Sequence, residues 1–387
     1  MLLLLTLLCV GISIVGCGLG FGSMLALRGF RSRRNDAARA DEPDITVLKP
    51  LFGAEPGLYE NLLSFLRQDF SGAVQIVFGV AGDTDGALPI VRRLIAEHPT
   101  LDLELVVGPA RSHGNGKILN LVGMSPSIKH DCIVFSDSDM RVGRDYLSQI
   151  AASLAEPDVG LVTCLYRGES NGGPWAMLSS MAIDFHFFPS VLLGVLLKKA
   201  RPCMGATMAF SRKTLDAIGG FKAFTACLAD DYAIGEAVRA TGLRVVVGRQ
   251  VVVHRCTERT LTDLFQHELR WARTLRTIDP RGFAGSFLTN PLPFALLAAL
   301  TADLIPGLAW IGFATLCITI ACRCVLQWQV ERTLGISTAR WLLMPARDLL
   351  SFVVFCTSFL ITDVVWRGHR YRVADDGSLT DLKGSQP

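Results

Sequence analysis

Apolar segments lie at both ends of the chain and enclose a more polar central region. Met1–Leu27 is almost wholly apolar and exceeds the roughly 20 residues that a helix needs to cross a bilayer. Two further apolar runs, Leu292–Leu326 and Trp341–Trp366, follow the central region, and Asp303 and Pro306 interrupt the first of them. The pattern predicts a transmembrane anchor at residues 1–27 and a C-terminal transmembrane region at residues 291–366.

The basic residues beside the first apolar segment predict its orientation. No positively charged side chain precedes Met1–Leu27, whereas a basic cluster follows it: Arg28, Arg31, Arg33 and Arg34. Positive charge stays on the cytoplasmic side of a membrane, and a cleaved signal peptide carries its positive charge before the apolar run. We therefore predict a retained anchor, a linker at residues 28–44 and a cytosolic domain at residues 45–280. The basic residues near the end of the chain begin a polar tail at residues 367–387.

In the central region short β-rich runs alternate with helical ones. Strands are predicted at Ile45–Leu48, Val74–Val80, Leu103–Val107, Cys132–Ser136, Val159–Cys164, Thr207–Phe210 and Arg244–Val253. Helices are predicted at Gly57–Gln68, Leu88–His98, Arg144–Ala155, Arg212–Ile218 and Asp231–Thr241. Such alternation is typical of an α/β fold with a mainly parallel sheet covered on both faces. Ligands bind beyond the carboxyl ends of the strands in these sheets, so functional residues are expected just after strands.

Composition excludes several classes of protein. Half of the 387 residues are hydrophobic and the net charge is only +3, with no basic patch interleaved with aromatic residues, so we expect no nucleic-acid partner. The 11 cysteines form no CxxC pair and no zinc spacing. We therefore expect a reduced catalytic domain without disulfides or a structural metal.

The first chemical motif is Ser136-Asp137-Ser138-Asp139, directly after a predicted strand. Two carboxylates at positions i and i+2 can share a Mg²⁺ or Mn²⁺ ion with the oxygens of a diphosphate, because these ions prefer oxygen ligands. Taken alone, the motif favours an acidic turn, since Asp and Ser are common in turns and a lone DxD is frequent.

A second acidic motif, Asp230-Asp231, opens a predicted helix. Its carboxylates could cap the helix and offset the helix dipole. Alternatively, one of them is a general base that removes a proton from an acceptor hydroxyl. The residues alone favour the capping role.

The segment at residues 259–276 predicts an amphipathic helix at a membrane interface. His267, Arg270 and Trp271 share one face of it, where an aromatic ring and a guanidinium group would line a sugar site and contact phosphate. A cationic membrane-surface helix with an interfacial Trp is an equally good explanation.

Further candidates lie near the first two predicted strands. Lys49 ends the first strand, and Asp83 and Asp85 follow the second, where either aspartate would hold a uracil or a ribose. Lys117 lies in a Gly-Asn-Gly-Lys loop before a helix, where its ammonium group would approach a nucleotide. The glycines are too few for a phosphate-binding P-loop.

The order of these parts resembles that of family 2 and family 21 glycosyltransferases. The closest resemblance is to ceramide glucosyltransferases and to bacterial hopanoid-biosynthesis-associated glycosyltransferases, from Thr46 to the C-terminus. The segments that carry it read VLKPLFGAEPGLYENL, VGLVTCLYRG, LADDYAIGEAVRATGL and HELRWARTLR.

The resemblance implies a GT-A fold and an inverting transfer of one sugar from a UDP-sugar to a lipid hydroxyl. UDP-N-acetylglucosamine or UDP-glucose is the implied donor, and the implied acceptor is a hopanoid polyol such as bacteriohopanetetrol, with ceramide second. The implied location is the inner membrane of a bacterium, with the catalytic domain in the cytosol.

The resemblance also assigns roles to residues. Asp85, or less closely Asp83, matches the first family aspartate, and Asp231 matches the catalytic base. Asp137 and Asp139 match the motif that binds Mg²⁺ or Mn²⁺. Arg270 and Trp271 match the end of the (Q/R)xxRW motif.

One position departs from the family pattern, since His267 stands where Gln or Arg is expected. This departure argues against a processive polysaccharide synthase, in which the glutamine variant is usual. A membrane scaffold or transporter subunit with a degenerate transferase fold is the non-enzymatic alternative. Intact residues at each motif argue against it.

Overall fold

The computed structural model describes most of the chain, namely residues 1–35, 42–109, 114–227, 229–337, 340–360, 363–366, 369–373 and 379–381. An α/β domain lies between an N-terminal apolar helix and a set of C-terminal helices. This architecture confirms the predicted fold class.

Among the described residues, eight strands form one mixed sheet in the order β3-β2-β1-β4-β7-β6-β8-β5. The strands are β1 Ile45–Pro50, β2 Val74–Ala81, β3 Asp102–Gly108, β4 Cys132–Phe135, β5 Met140–Arg141, β6 Val159–Ser170, β7 Met208–Ser211 and β8 Arg244–Cys256. Strands β1 to β4 pair in parallel, as do β6 and β8, and β7 pairs antiparallel with both β4 and β6.

Helices flank the sheet, and further helices precede and follow the α/β domain along the chain. They are α1 Leu2–Asn35, α2 Leu58–Leu66, α3 Leu88–Glu97, α4 Gly116–Met124, α5 Tyr146–Leu154, α6 Pro174–Ala182, α7 Phe188–Leu196, α8 Arg212–Ala217, α9 Asp230–Ala240, α10 Leu261–Ile278, α11 Pro280–Gly285, α12 Pro291–Asp303, α13 Ala309–Leu334 and α14 Met344–Leu360. A π-helical turn, Ile183–Phe187, joins α6 to α7.

Successive residues of the central strands belong alternately to two hydrophobic cores, one on each face of the sheet. Val47 and Val134 belong to one cluster, whereas their neighbours Leu48 and Ile133 belong to the other. Side chains on a strand point alternately to opposite faces, so both faces of the sheet are covered. Ile45–Pro50 is consequently buried at every position along the strand.

The structure differs from the sequence prediction at several boundaries. The sheet is mixed rather than mainly parallel around β7, and α1 continues to Asn35, so the beginning of the predicted linker is helical. The last apolar helix ends at Leu360 rather than at Trp366. Linker residues 36–41 lie outside the described part of the chain.

A small antiparallel sheet joins the end of the predicted transmembrane region to the predicted polar tail. Its strands are β9 Asp363–Trp366, β10 His369–Val373 and β11 Leu379–Asp381. Residues 363–366 are therefore a strand rather than part of an apolar helix, and this strand contacts α10.

In the described residues, four helical segments are long and apolar enough to cross a membrane: Leu2–Ser32, Pro174–Leu196, Ala309–Leu334 and Trp341–Leu360. Pro174–Leu196 was not predicted. A fifth candidate is the pair Pro280–Thr289 and Pro291–Asp303, which is bent by 53°. The interruption expected near Asp303 and Pro306 is confirmed, because α12 ends at Asp303 and α13 begins at Ala309.

A buried ion pair joins the amphipathic helix α10 to α14. Both guanidinium Nη atoms of Arg347 donate to the Glu268 carboxylate, at 2.6 and 2.7 Å, and the Arg347 side chain is only 1% exposed. Further along both helices, Arg276 donates to the carbonyl oxygen of Ser358. These contacts hold α10, which carries His267, Arg270 and Trp271, against the C-terminal helices.

Removal of one partner of this pair should strongly destabilise the protein. Replacing Arg347 by methionine leaves the Glu268 carboxylate buried without its counter-ion, and we expect the free energy of unfolding to fall by about 3–5 kcal/mol. Unfolding of the detergent-solubilised protein in denaturant measures this change. The double variant Glu268→Leu, Arg347→Met removes both charges and should recover most of the loss. A double variant less stable than the single one would contradict this account.

Candidate active site

A cavity of about 260 Å³ opens beyond the carboxyl ends of β1 and β4. The loops after these strands, the first turns of α4 and α9, and one face of α10 form its walls. Its lining brings together many of the residues predicted from the sequence, namely Lys117, Asp137, Asp139, Asp231, His267, Arg270 and Trp271.

Contacts beneath the cavity fix the loop that carries Asp137 and Asp139. The fully buried ammonium of Lys49 donates to the carbonyl oxygen of Asp137, and its Nζ lies 3.9 Å from the centre of the Phe65 ring. Ser138 donates to the Glu55 carboxylate at 2.7 Å. Lys49 and Glu55 therefore fix the loop that carries the two aspartates.

Lys117 connects the two acidic motifs. It lies in the first turn of α4, where Asn115 caps the helix by accepting from the backbone N–H of Lys117. Its Nζ lies 2.6 Å from Asp230 Oδ2 and 3.5 Å from Asp137 Oδ1. Burial lowers the pKa of Lys117, but the surrounding carboxylates outweigh burial and raise it, so the side chain stays cationic.

The two aspartates of the Asp-Ser-Asp motif have opposite pKa shifts. Burial raises the pKa of Asp137, and Asp139 and Asp230 add to the rise while Lys117 opposes it. Burial also acts to raise the pKa of Asp139, but the imidazole of His254, whose Nδ1 lies 3.3 Å away, and the ammonium of Lys49 lower it to about 2. Asp139 is therefore the more firmly ionised carboxylate.

Asp231 lines the cavity from the first turn of α9. Its Oδ2 accepts from the backbone N–H of Gly205 at 3.0 Å, and its Oδ1 accepts from the N–H of Tyr232 at 2.8 Å. Burial raises the pKa of Asp231 to about 6, with Asp230 adding to the rise and Lys117 opposing it. A fixed carboxylate with this pKa can accept a proton near neutral pH.

Gly205 allows the charged groups to approach one another. A Cβ at this position would lie 2.9 Å from Lys117 Nζ and 3.0 Å from Asp137 Oδ2. Its backbone N–H is also the donor to Asp231. The absence of a side chain here leaves room for Lys117 and Asp137 beside the backbone that binds Asp231.

Aromatic rings cover the side of the cavity that faces α10. The ring centres of His267 and Trp271 lie 4.2 Å apart, and that of His254 lies 6.0 Å from Trp271 and 5.9 Å from Tyr166. His267 Nδ1 contacts Glu258 Oε1 at 2.7 Å, which fixes the orientation of its ring. Such an apolar surface with polar edges suits the face of a sugar ring.

Three predicted site residues do not line this cavity. Lys49 lies beneath the loop rather than in the wall, because its ammonium is fully buried. Asp83 is exposed, and Asp85 accepts from the backbone N–H groups of Gly53 and Ala87. These hydrogen bonds give Asp85 a role in holding the loop after β1.

The sequence reasoning missed several residues that line the cavity. His254 follows the apolar run Val251–Val253 in β8, which was a usable signal, because a polar residue buried in a strand needs a partner. Glu55, Tyr166 and Gly205 carried no such signal. Only the pairing of distant strands brings them to the cavity.

The Asp137 and Asp139 carboxylates fit a divalent metal ion. Within the described residues, no group of three His, Cys, Asp or Glu side chains is placed to hold a metal. Mg²⁺ ordinarily uses one or two carboxylates together with substrate phosphates and water. Asp139 Oδ1 is buried, and the described part of the chain supplies it with no hydrogen-bond donor. The residues present therefore suit an ion that is shared with a diphosphate.

Sequence comparisons relate the chain to glycosyltransferases. It is 20% identical to ceramide glucosyltransferase 1 of Caenorhabditis elegans over 370 residues, which cover 89% of this chain and 74% of the relative. It is 22% identical to an N-acetylglucosaminyltransferase of Rhizobium meliloti over 276 residues, which cover 67% of this chain and 61% of that protein.

A solved structure supports the fold. A mannosyltransferase from Pyrobaculum calidifontis matches with a TM-score of 0.50 and 20% identity, over 91% of this chain and 99% of the other. The sequence profile described as Glycosyl transferase family 21 matches residues 8–379. The chain therefore belongs to glycosyl transferase family 21 and is a hexosyltransferase with a GT-A fold.

Proposed function

We propose that this hexosyltransferase moves one sugar from UDP-N-acetylglucosamine or UDP-glucose to a lipid hydroxyl. The acceptor is a hopanoid polyol in the first instance and ceramide in the second. One observation carries the proposal: the Asp137 and Asp139 carboxylates and the Asp231 carboxylate line a single cavity whose wall, α10, is bound to the apolar helix α14.

The geometry supports a single displacement with inversion. Asp231 takes the proton from the acceptor hydroxyl, and the hydroxyl oxygen forms a bond to the anomeric carbon of the sugar. The bond from that carbon to the diphosphate oxygen breaks, and UDP leaves with the electron pair. Lys117 and Arg270 lie in the same cavity and offset the negative charge of the diphosphate. His267 and Trp271 provide the surface on which the sugar rests.

A divalent ion is part of this proposal. Asp137 and Asp139 would hold Mg²⁺ or Mn²⁺, and the ion would neutralise charge on the departing diphosphate. The Pyrobaculum calidifontis mannosyltransferase was solved in complex with GDP-Man and Mn²⁺, which supports a metal-dependent site. The lipid acceptor is supported by the relatives named ceramide glucosyltransferase, and N-acetylglucosamine by the Rhizobium meliloti relative.

We further propose that three segments cross the membrane: α1, the bent pair that ends in α12, and α13. Thr6, near the start of α1, donates to Thr301, near the end of α12, at 2.9 Å. Gln329, near the end of α13, donates to the carbonyl oxygen of Met24 at 2.9 Å. Helix α12 therefore runs antiparallel to α1, and α13 runs parallel to it. An odd number of crossings returns the chain to the cytosolic side.

Two other apolar helical segments lie on the cytosolic surface in this arrangement. Pro174–Leu196 connects β6 to β7, which are paired in one sheet, so a single crossing would separate the two strands. Helix α14 lies beside α10 through its contacts with Glu268 and Arg276. Both segments would rest at the interface, where their apolar faces meet lipid.

A cysteine introduced at Ser385 tests this topology, although Ser385 lies outside the described residues. We expect a membrane-impermeant thiol reagent to label it only after the cells are lysed. A cysteine-free variant provides the background on which the single new thiol is read. Labelling in intact cells would place the tail outside the cytosol and contradict the odd number of crossings.

The pH dependence of transfer follows from the pKa of Asp231. Only the ionised carboxylate accepts a proton, and burial together with Asp230 raises the pKa of Asp231 to about 6. The rate should therefore rise as the pH increases through about 6 and then level off. Transfer at saturating substrate, measured from about pH 5 to about pH 8, reports this ionisation. A rate independent of pH over this range would contradict the assignment.

Transfer by the purified full-length protein tests the function. The protein is placed in lipid nanodiscs with labelled UDP-sugar and either bacteriohopanetetrol or ceramide, and the products are identified by mass spectrometry. We expect one product that carries a single sugar. A ladder of products would indicate a polysaccharide synthase, and absence of transfer to both lipids would overturn the proposal. Preference for ceramide would select the second acceptor.

A further inference from the structure

A second cavity adjoins the one that contains Asp231. It has a volume of about 320 Å³ and is bounded by α2, the end of β8 and the start of α10. The two cavities share Glu55, Asp139, His254 and His267 in their linings. A molecule in the second cavity therefore lies directly beside the groups at which transfer takes place.

Two buried hydrogen-bond acceptors belong to residues that line this cavity. Asn61 is 1% exposed and donates to the carbonyl oxygen of Ser138, whereas its own Oδ1 has no donor among the described residues. The Glu258 side chain is 6% exposed; its Oε1 accepts from Ser179 and contacts His267, and its Oε2 has no donor among the described residues. A buried acceptor is unfavourable until a donor reaches it, so these atoms indicate a ligand that donates hydrogen bonds.

The charges around the cavity narrow the chemistry of that ligand. Four carboxylates line the cavity, together with the guanidinium groups of Arg255 and Arg259 and the imidazole rings of His254 and His267. This mixture of acidic and basic groups suits neither a multiply charged anion nor a strongly cationic molecule. Neutral hydroxyl groups, which donate without carrying charge, suit the lining best.

The position of the cavity relates it to the apolar helices. Ser179, which donates to Glu258, belongs to the apolar segment Pro174–Leu196, and α10 packs against α14. We propose that this cavity binds the hydroxyl-rich head of the lipid acceptor, so that Asn61 and Glu258 accept from some hydroxyls while another reaches Asp231. This inference rests on the proposed function, in which the acceptor is a lipid.

The variant Glu258→Gln tests the inference, because it keeps the shape of the side chain and replaces an acceptor oxygen by a donor nitrogen. Transfer is compared between bacteriohopanetetrol and hexadecanol, which has a single hydroxyl. We expect the ratio of kcat/KM for the tetrol to that for hexadecanol to fall by about tenfold to a hundredfold, the usual effect of losing one hydrogen bond to a charged group. Glu258 also orients His267, so KM for the UDP-sugar is measured in parallel. Because the same UDP-sugar serves both acceptors, a change in donor binding cancels in the ratio.

Ser179→Ala is the matched control. It removes the hydrogen bond from Ser179 to Glu258 Oε1 and leaves Oε2 in place. It should preserve the ratio, and a fall equal to that in Glu258→Gln would show that Glu258 acts only through the fold. Asn61→Ser tests the opposite wall of the cavity independently and should also lower the ratio. If neither cavity variant changes the ratio, the inference fails while the proposed function stands. Absence of transfer to both acceptors by the unmodified protein would overturn both.

Discussion

Replacing Asp231 by asparagine should lower the rate of sugar transfer by about 10²–10⁴, the usual size of general-base assistance. The amide preserves the shape of the carboxylate and can still accept from the backbone N–H of Gly205, so the cavity should keep its form. It cannot take a proton from the acceptor. The rate of transfer in nanodiscs and the affinity for UDP-sugar, measured by calorimetry, separate catalysis from binding. Binding should change little.

Asp230→Asn is the matched control, because both aspartates lie in the first turn of α9. Asp230 contacts Lys117 and Asn115 rather than Gly205, so its replacement should lower the rate less than that of Asp231. If Asp231 only caps the helix, asparagine serves almost as well. Near-normal transfer by Asp231→Asn would therefore overturn the mechanism.

Loss of either carboxylate that we propose to bind the metal should nearly abolish transfer. Asp137→Ala and Asp139→Ala each remove a ligand from a site in which protein and diphosphate would share the ion. Chelation by excess EDTA should have the same effect as the substitutions, and Mg²⁺ or Mn²⁺ should restore the unmodified enzyme but not the variants. The rate and the metal dependence of UDP binding are measured together. Both variants should still insert into the membrane and purify.

Asp216→Ala controls for the loss of an acidic residue, since Asp216 is exposed on α8 and lies outside the cavity. It should transfer sugar at the normal rate and respond normally to EDTA. Full turnover by the unmodified enzyme in excess EDTA would show that transfer needs no divalent ion, and the assignment of Asp137 and Asp139 would then be wrong.

The main elements of the sheet could be predicted from sequence because their signals are local. A buried strand such as Val74–Ala81 is apolar at nearly every position, and acidic residues shortly after Cys132–Phe135 mark a strand end. The direction of β7 could not be predicted, since a short apolar run reads the same in parallel and antiparallel pairing. Pro174–Leu196 was missed as well. Its apolar residues pack on the α/β domain, and in the sequence they look like the apolar runs of the strands on either side.

Some residues of the site could likewise be predicted from the sequence, and others could not. Asp137, Asp139 and Asp231 stand in short motifs that can be recognised without a structure. The two buried acceptors at Asn61 and Glu258 cannot, because their significance comes from burial beside a cavity formed by α2, β8 and α10. Polar residues of these types are common on surfaces. Only the packing of distant segments reveals which of their oxygen atoms are buried without a hydrogen-bond donor in the described structure.

The ion pair between Glu268 and Arg347 makes the catalytic domain dependent on a helix that the ribosome synthesises much later. A nascent chain that ends before Arg347 has already produced the whole mixed sheet and α10, but the Glu268 carboxylate still lacks its guanidinium partner. Helix α10, which carries His267, Arg270 and Trp271, can therefore reach its final packing only after α14 has been synthesised. A truncated catalytic fragment should therefore mature poorly, and supplying the C-terminal helices as a separate polypeptide is the rational way to rescue it.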